Sequence, residues 1–346
     1  MLDLGLFKEI LEIDSTSGKE RKLAEFLSHR LTDYAAASSK GKSICRVEQH
    51  EVGDGTLNLL FSWGKPKVYF CTHMDTVPPY IPPVFTEEKV SGRGSNDAKG
   101  QLFSMFSACL ELASRGYEDF GLLLLSGEET GSYGAKAYTR DCPGGELVIV
   151  GEPTDNKMVT ASKGTKSFQI HIDGKSCHSG YPEMGASAVE RFVDFMNELR
   201  SLSFPVDPVT GPTTWNVGKL SSDNPQNILS PALDFRLYFR TTAASDASVQ
   251  EKIQAMANDF VHIEALGGDT PMTYHTFEGI PQCVVAFGSD APRLEKFPLR
   301  SLCGPGSILT AHTADEFVRI SDLETAVQQY VAMATYYLGQ PSLAED

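Results

Sequence analysis

The sequence predicts an α/β fold, a mainly parallel sheet flanked by helices, interrupted by an inserted α+β segment with a four-stranded antiparallel sheet and two helices. Three observations lead there. Apolar runs of strand length, such as Val68-Tyr-Phe-Cys-Thr, Leu122-Leu-Leu-Leu and Leu147-Val-Ile-Val, alternate with helical patterns and hold almost no polar residue, as strands buried on both faces do. After Gly164 the texture changes to alternating apolar and polar residues, the pattern of one-sided antiparallel strands. The 346 residues are long for one core and comfortable for two domains. The expected division is residues 1–164 with 276–346 as one domain and residues 165–275 as the insert.

Taken in order, Met1-Leu-Asp-Leu-Gly-Leu-Phe-Lys-Glu-Ile10-Leu-Glu-Ile13 is apolar at helical spacing with acidic flanks, a packed first helix and not a signal peptide. Ser17-Gly-Lys-Glu20 has the form of a capping box, opening a helix with Leu23, Phe26, Leu27 and Leu31 on one face. Residues 32–44 read as that helix's end and an exposed loop. Strands at 57–63, 67–73, 121–125 and 147–150 then alternate with a helix over 99–115 and a short helix after Ser132. In the insert, strands at 166–173, 214–220 and 233–240 are joined by amphipathic helices at 186–202 and 246–260. The chain rejoins the parallel sheet near Cys283, and a final helix covers 321–338.

A net charge of −15, from 30 basic and 45 acidic residues, argues against nucleic acid and anionic membranes as partners. No apolar run approaches the ~18 residues of a membrane span. The seven cysteines are odd in number and show no CxxC spacing, so neither a disulfide framework nor a thiolate zinc site is expected, and a reduced, cytoplasmic setting is. Ser91-Gly-Arg-Gly94 lacks the spacing of a phosphate-binding loop, and GxSxG is absent, which sets aside a nucleotide-binding module and a serine hydrolase.

The chemistry lies in His73, Asp75, Asp97, Glu128, Glu129 and Glu152, with His312 far downstream. Two neighbouring divalent cations need oxygen and imidazole ligands, and one bridging carboxylate lets them share a water whose pKa falls toward ~7. His73 and Asp75 stand at i and i+2, on one side of a strand, so Asp75 can accept the second ring N–H of His73 and fix its tautomer. The adjacent carboxylates Glu128 and Glu129 diverge, leaving one for metal and its neighbour for a proton. Asp97, after Ser95-Asn96, could instead cap a helix that begins near Ala98.

The ordered motifs His73-Met-Asp-Thr-Val-Pro78, Gly94-Ser-Asn-Asp97-Ala-Lys-Gly100, Gly127-Glu-Glu-Thr-Gly-Ser132, Gly151-Glu-Pro-Thr154 and Gly304-Pro-Gly-Ser-Ile-Leu-Thr-Ala-His312-Thr-Ala-Asp-Glu316 resemble the dinuclear zinc aminoacylase and carboxypeptidase family, over nearly the whole chain. The resemblance implies a zinc-exopeptidase-like catalytic domain with an inserted lid and dimerisation domain. It implies two divalent ions, zinc foremost with cobalt or manganese as alternatives: Asp97 bridging, His73 and Glu152 on one, Glu129 and His312 on the other, and Glu128 as general base. Two such ions bring four positive charges against three from Asp97, Glu129 and Glu152, so a hydroxide would neutralise the centre.

The segment Gly174-Lys-Ser-Cys-His178-Ser-Gly-Tyr-Pro-Glu-Met-Gly185 resembles the one from which this family places a histidine over the scissile carbonyl, in many members across a homodimer interface. Asn227 and Arg236 resemble lid positions near the substrate carboxylate, although Ile228-Leu229-Ser230 departs from the usual run and Arg236 could equally be a strand salt-bridge residue. Among branches, the His312 segment and the length look most like acetylornithine deacetylase, implying an N-acyl-L-amino acid substrate, with a metallo-dipeptidase or carboxypeptidase as the alternative.

Overall fold

Strands with no polar residue must be covered on both faces, and the central strands of this chain are. A computed structural model describes residues 2–38, 45–53 and 55–339, which fall into two compact units: Met1–Thr160, Tyr274–Cys283 and Ser289–Asp346 make the first, Ala161–Thr273 and Val284–Gly288 the second.

In the first unit, β1 (Cys45–Gly53), β2 (Thr56–Trp63), β3 (Val68–His73), β4 (Phe120–Leu125), β5 (Leu147–Val150) and the strand Leu299–Leu302 form one sheet, in the order β1-β2-β4-β3-β5 and then Leu299–Leu302. Every residue of β2 to β5 is buried. The pairs β4/β3, β3/β5 and β5 with Leu299–Leu302 are parallel, whereas β1 and β2 add an antiparallel margin, so the sheet is mixed. The edge strand β1, Cys-Arg-Val-Glu-Gln-His-Glu-Val-Gly, has no buried residue; a charged edge resists pairing with other chains.

Helices α1 (Leu4–Leu11), α2 (Arg21–Ser38), α3 (Lys99–Ser114), α4 (Tyr133–Asp141) and the last helix, Ile320–Leu338, flank the sheet. Asp3 caps α1 by accepting from the amides of Gly5 and Leu6. Phe7 of α1 stacks on Phe103 of α3 at 4.7 Å, and Tyr330 of the last helix meets Phe70 of β3 edge-on at 5.6 Å. Each such ring contributes about 1.5–3 kcal/mol by burial. Lys99 is fully buried, its Nζ donating to the main-chain oxygens of Ile10 and Ile13 at the end of α1, and burial pushes its pKa down to about 7.

The expected capping box does not form. Helix α2 starts at Arg21, and the Ser17 hydroxyl donates instead to the carboxylate of Asp75 at 2.8 Å, while residues 15–17 bridge to Thr76 through main-chain bonds of 3.1 Å. A buried carboxylate is the stronger acceptor, and it draws the hydroxyl away from the helix. The helix runs on through its alanines to Ser38, within the stretch 32–44 where its end is expected; residues 39–44, the rest of that stretch, lie outside the described residues.

In the second unit, β6 (Gly164–Asp173), β7 (Thr214–Ser221), β8 (Ala232–Thr241) and β9 (Val261–Gly267) form a wholly antiparallel sheet in the order β7-β8-β6-β9. Phe168, Ile170, Phe235 and Phe239 bury one face in a core shared with Phe195 of α5 (Ala188–Ser201) and Ile253 of α6 (Asp246–Gln254). Helix α6 ends six residues short of the expected 260, because the Asn258 side chain accepts from the amides of Phe260 and Val261 and turns the chain into β9.

Candidate metal centre

In the parallel part of the sheet, the sequence-predicted ligands follow the carboxyl ends of the strands, where open α/β sheets hold their sites. His73 is the last residue of β3, Glu128 and Glu129 follow β4, Glu152 follows β5, and the loop with His312 follows Leu299–Leu302. Asp97 stands ahead of α3. It does not cap that helix, whose N-cap is Ala98 without a side-chain bond.

The Asp97 carboxylate turns its two oxygens to two different histidines. Its Oδ1 lies 3.1 Å from His73 Nε2 and its Oδ2 3.3 Å from His312 Nε2, which is also 2.9 Å from Glu129 Oε1. Ligand atoms of His73, Asp97 and Glu129 all lie within 4.8 Å of one another. His312 holds its position with φ of 63°, left-handed backbone that costs a non-glycine residue about 1–2 kcal/mol and persists where surrounding contacts impose it.

Asp75 is completely buried. Its Oδ1 accepts from the Glu128 amide at 3.0 Å and its Oδ2 from the Glu129 amide at 3.1 Å and from Ser17. His73 Nδ1 is nearer the main-chain oxygen of Asp75, at 2.9 Å, than its carboxylate, at 3.4 Å. The expected orienting bond is therefore shared with the backbone, and the Asp75 side chain is turned chiefly to the peptides carrying Glu128 and Glu129.

The electrostatics describe a place built for positive charge. Burial, then the charges of Asp290, Glu129 and Asp97 against the pull of His73, holds the Glu128 carboxyl well above the usual range. Burial and the Asp97 charge do the same to Glu152. The bonds from Asp97 and Glu129 push His312 up to about 10, and although burial opposes its charge, bonds to Asp75 and Asp97 raise His73 as well. Imidazolium here does the balancing that a cation would do. Carboxylates and imidazoles at this spacing, largely buried except for the exposed His312, suit zinc, cobalt or manganese.

Three neighbours escaped the sequence reading: Ser17, whose pattern matched a cap; Asp290, buried and without a motif; and Glu316, quoted within a motif but given no task. Cys71 is buried and its thiol is pushed well up by burial, which removes it as a nucleophile.

The second unit holds His178, Asn227 and Arg236. The Gly180 amide donates to His178 Nδ1 at 3.1 Å, which leaves Nε2 of the exposed ring free to carry the N–H. Asn227 is brought beside it, its main-chain oxygen accepting from the Ser179 amide at 2.9 Å. Arg236 lies within β8 and donates to the side chain of Gln169 on β6 at 3.3 Å, a cross-strand bond.

The profile described as Peptidase family M20/M25/M40 matches residues 69–336, a span that includes His73 through His312. The chain belongs to that family. A peptidase M20 domain-containing protein of Schizosaccharomyces pombe is 33% identical over 97% of this chain and 84% of its own length, and a probable carboxypeptidase of Emericella nidulans is 30% identical over 96% and 88%. Among solved structures, a tripeptidase from Staphylococcus aureus superposes with a TM-score of 0.80 at 19% identity, covering 97% of this chain and 98% of that one. An M20 family metallo-carboxypeptidase from Sulfolobus solfataricus gives 0.75 at 15%, covering 98% and 100%. At such identities these two speak for the fold, an M20 zinc-exopeptidase fold with a four-stranded antiparallel sheet in its second unit. This M20 chain is a metallohydrolase of amide bonds, and no helix among its described residues is long and apolar enough to cross a membrane.

Proposed function

We propose that this chain is a metal-dependent peptidase that releases the C-terminal residue of short peptides or splits dipeptides, using two divalent cations, zinc foremost. The observation that carries it is the Asp97 carboxylate, one oxygen of which faces His73 and the other His312. Asp97 would bridge, with His73 and Glu152 on one ion and Glu129 and His312 on the other. Cations held there supply Lewis acidity toward the scissile carbonyl and acidify water. Glu128 accepts a proton from the attacking water and delivers it to the leaving amine nitrogen. His178 donates its Nε2–H to the carbonyl oxygen as that oxygen gains charge, a bond worth about 2.7–4 kcal/mol in comparable sites. Asn227 and, less directly, Arg236 would receive the substrate carboxylate, and the second unit would carry a homodimer.

Hydrolysis of an N-acyl-L-amino acid, in the manner of acetylornithine deacetylase, ranks second. It presents the same amide and carboxylate, but the name of the Emericella nidulans relative favours a peptide. Rates on alanyl dipeptides, N-blocked dipeptides, N-acetylornithine and N-succinylornithine decide between them. A kcat/KM at least tenfold higher on the peptides, about 1.4 kcal/mol of transition-state preference, is expected, and the reverse ratio would install the deacylase.

A further inference from the structure

Asp97 sits at the end of a turn that is shaped around a single oxygen atom. The amides of Gly94, Asn96 and Asp97 converge on Glu316 Oε1 at 2.8, 3.2 and 3.1 Å. The other oxygen, Oε2, faces the guanidinium of Arg93, which also reaches the main-chain oxygen of Pro79 at 3.3 Å. Glu316 and Arg93 are both buried, and the main-chain oxygen of Glu316 accepts from Gly92. Asn96 is tied separately, through its side-chain amide, to the main-chain oxygen of Ser307 at 2.8 Å. The division of labour within one carboxylate is plain: Oε1 gathers the turn, Oε2 neutralises a buried arginine.

Three converging N–H donors repel one another and will not stay so arranged without an acceptor at their focus. The acceptor comes from the segment that also carries His312, so the strip that carries Asp97 and the strip that carries His312 are locked to each other.

We propose that Glu316 is a positioning residue for the metal centre, its Oε1 fixing the peptide of Asp97 so that the two oxygens of that side chain are presented to the two cations. This rests on the dinuclear reading above. Metal affinity then follows the acceptor at Oε1 and not the ion pair at Oε2. A purely structural buried pair predicts the opposite, loss of folding stability whenever the charges go, with metal affinity in the surviving fold unchanged.

Two double variants of the full chain separate these. R93M/E316Q removes both charges but keeps an amide oxygen for the three N–H groups; R93M/E316M has similar volume and no acceptor, and neutral replacement of a buried pair is commonly tolerated. Zinc stoichiometry and affinity are read by chelator competition, beside thermal unfolding of the metal-free proteins. R93M/E316Q should bind zinc within about threefold of wild type, and R93M/E316M 10–100-fold more weakly, as loss of a group that orients a ligand does elsewhere. At saturating zinc R93M/E316M should keep its KM and lose kcat. Equal zinc affinity in the two variants would overturn the proposal. Should R93M/E316M not fold, R93M/E316Q can still overturn the proposal: a more than tenfold loss of zinc affinity there would assign the effect to the charges. A wild-type chain that binds no zinc at all would defeat the metal reading itself, a separate result.

Discussion

Asp75 accepts the amide of Glu129 at 3.1 Å with one carboxylate oxygen and that of Glu128 at 3.0 Å with the other. One side chain thus sets the direction in which two neighbouring carboxylates leave the backbone. Asp75→Ala should strand those amides and the Ser17 hydroxyl, at about 1–3 kcal/mol per orphaned group, and weaken metal binding 10–100-fold. Ser17→Ala should cost only about 1 kcal/mol and keep its metal. Urea unfolding and metal analysis of both variants measure this. Equal metal affinity in Asp75→Ala and wild type would confine Asp75 to folding.

Asp97→Ala should lose both ions together, because Asp97 alone is proposed to touch both. Elemental analysis after gel filtration should find none, and two retained equivalents would falsify the bridge.

Glu128→Gln conserves size and should leave metal content intact while kcat falls by ~10²-fold or more with little change in KM. Loss of metal in this variant would mean that Glu128 and Glu129 have exchanged roles.

His178→Ala should keep its metal and lose about 10²–10³ in kcat, the effect of deleting one donor to a developing oxyanion. Mixed with Glu128→Gln, it should regain part of the activity if the histidine serves a neighbouring subunit. Unchanged kcat in His178→Ala would remove it from the reaction.

A pH dependence of stability follows from the second unit. His171 of β6 stands in register with Asp234 of β8 and His262 of β9. Its bond to Asp234, at 2.8 Å, raises its pKa against desolvation, with Asp173 assisting; Asp173 is lowered, first by its bond from His262 at 2.6 Å. A raised histidine stabilises fully below its unfolded value of ~6.5 and ceases to as pH climbs through its folded one; a lowered aspartate stabilises above ~3.9 and ceases to as pH falls. The cluster therefore contributes most between about pH 4 and 6.5. His171→Gln should unfold at lower urea than wild type at pH 5.5 and converge with it at pH 9. A gap independent of pH would trace the effect to packing.

Much of the fold is legible because burial on both faces leaves a mark that needs no context: β3, β4 and β5 are nearly continuous apolar runs. The candidate residues His73, Glu128, Glu129 and Glu152 stand out for a related reason, since they sit where such runs stop. Elements that answer to distant partners are not. Strand β1 is charged and carries no apolar run to mark it, yet it pairs with β2, and Leu299–Leu302 contains Arg300 and Ser301 yet completes the sheet beside β5. Ser17 looks the same whether its hydroxyl caps a helix or holds Asp75, because the deciding acceptor lies 58 positions away. Glu316 hides likewise: its amide partners precede it by about 220 residues.

The strand Leu299–Leu302 bears on how the protein is made. It docks against β5 only after residues 161–273 have been synthesised as a unit of their own, and His312 meets Glu129 across 183 positions of chain. Closing so long a loop adds only logarithmically to the entropic cost, so the delay is one of timing more than of stability. Until residues 299–312 have been made, Glu129 lacks its His312 partner and β5 lacks its parallel neighbour.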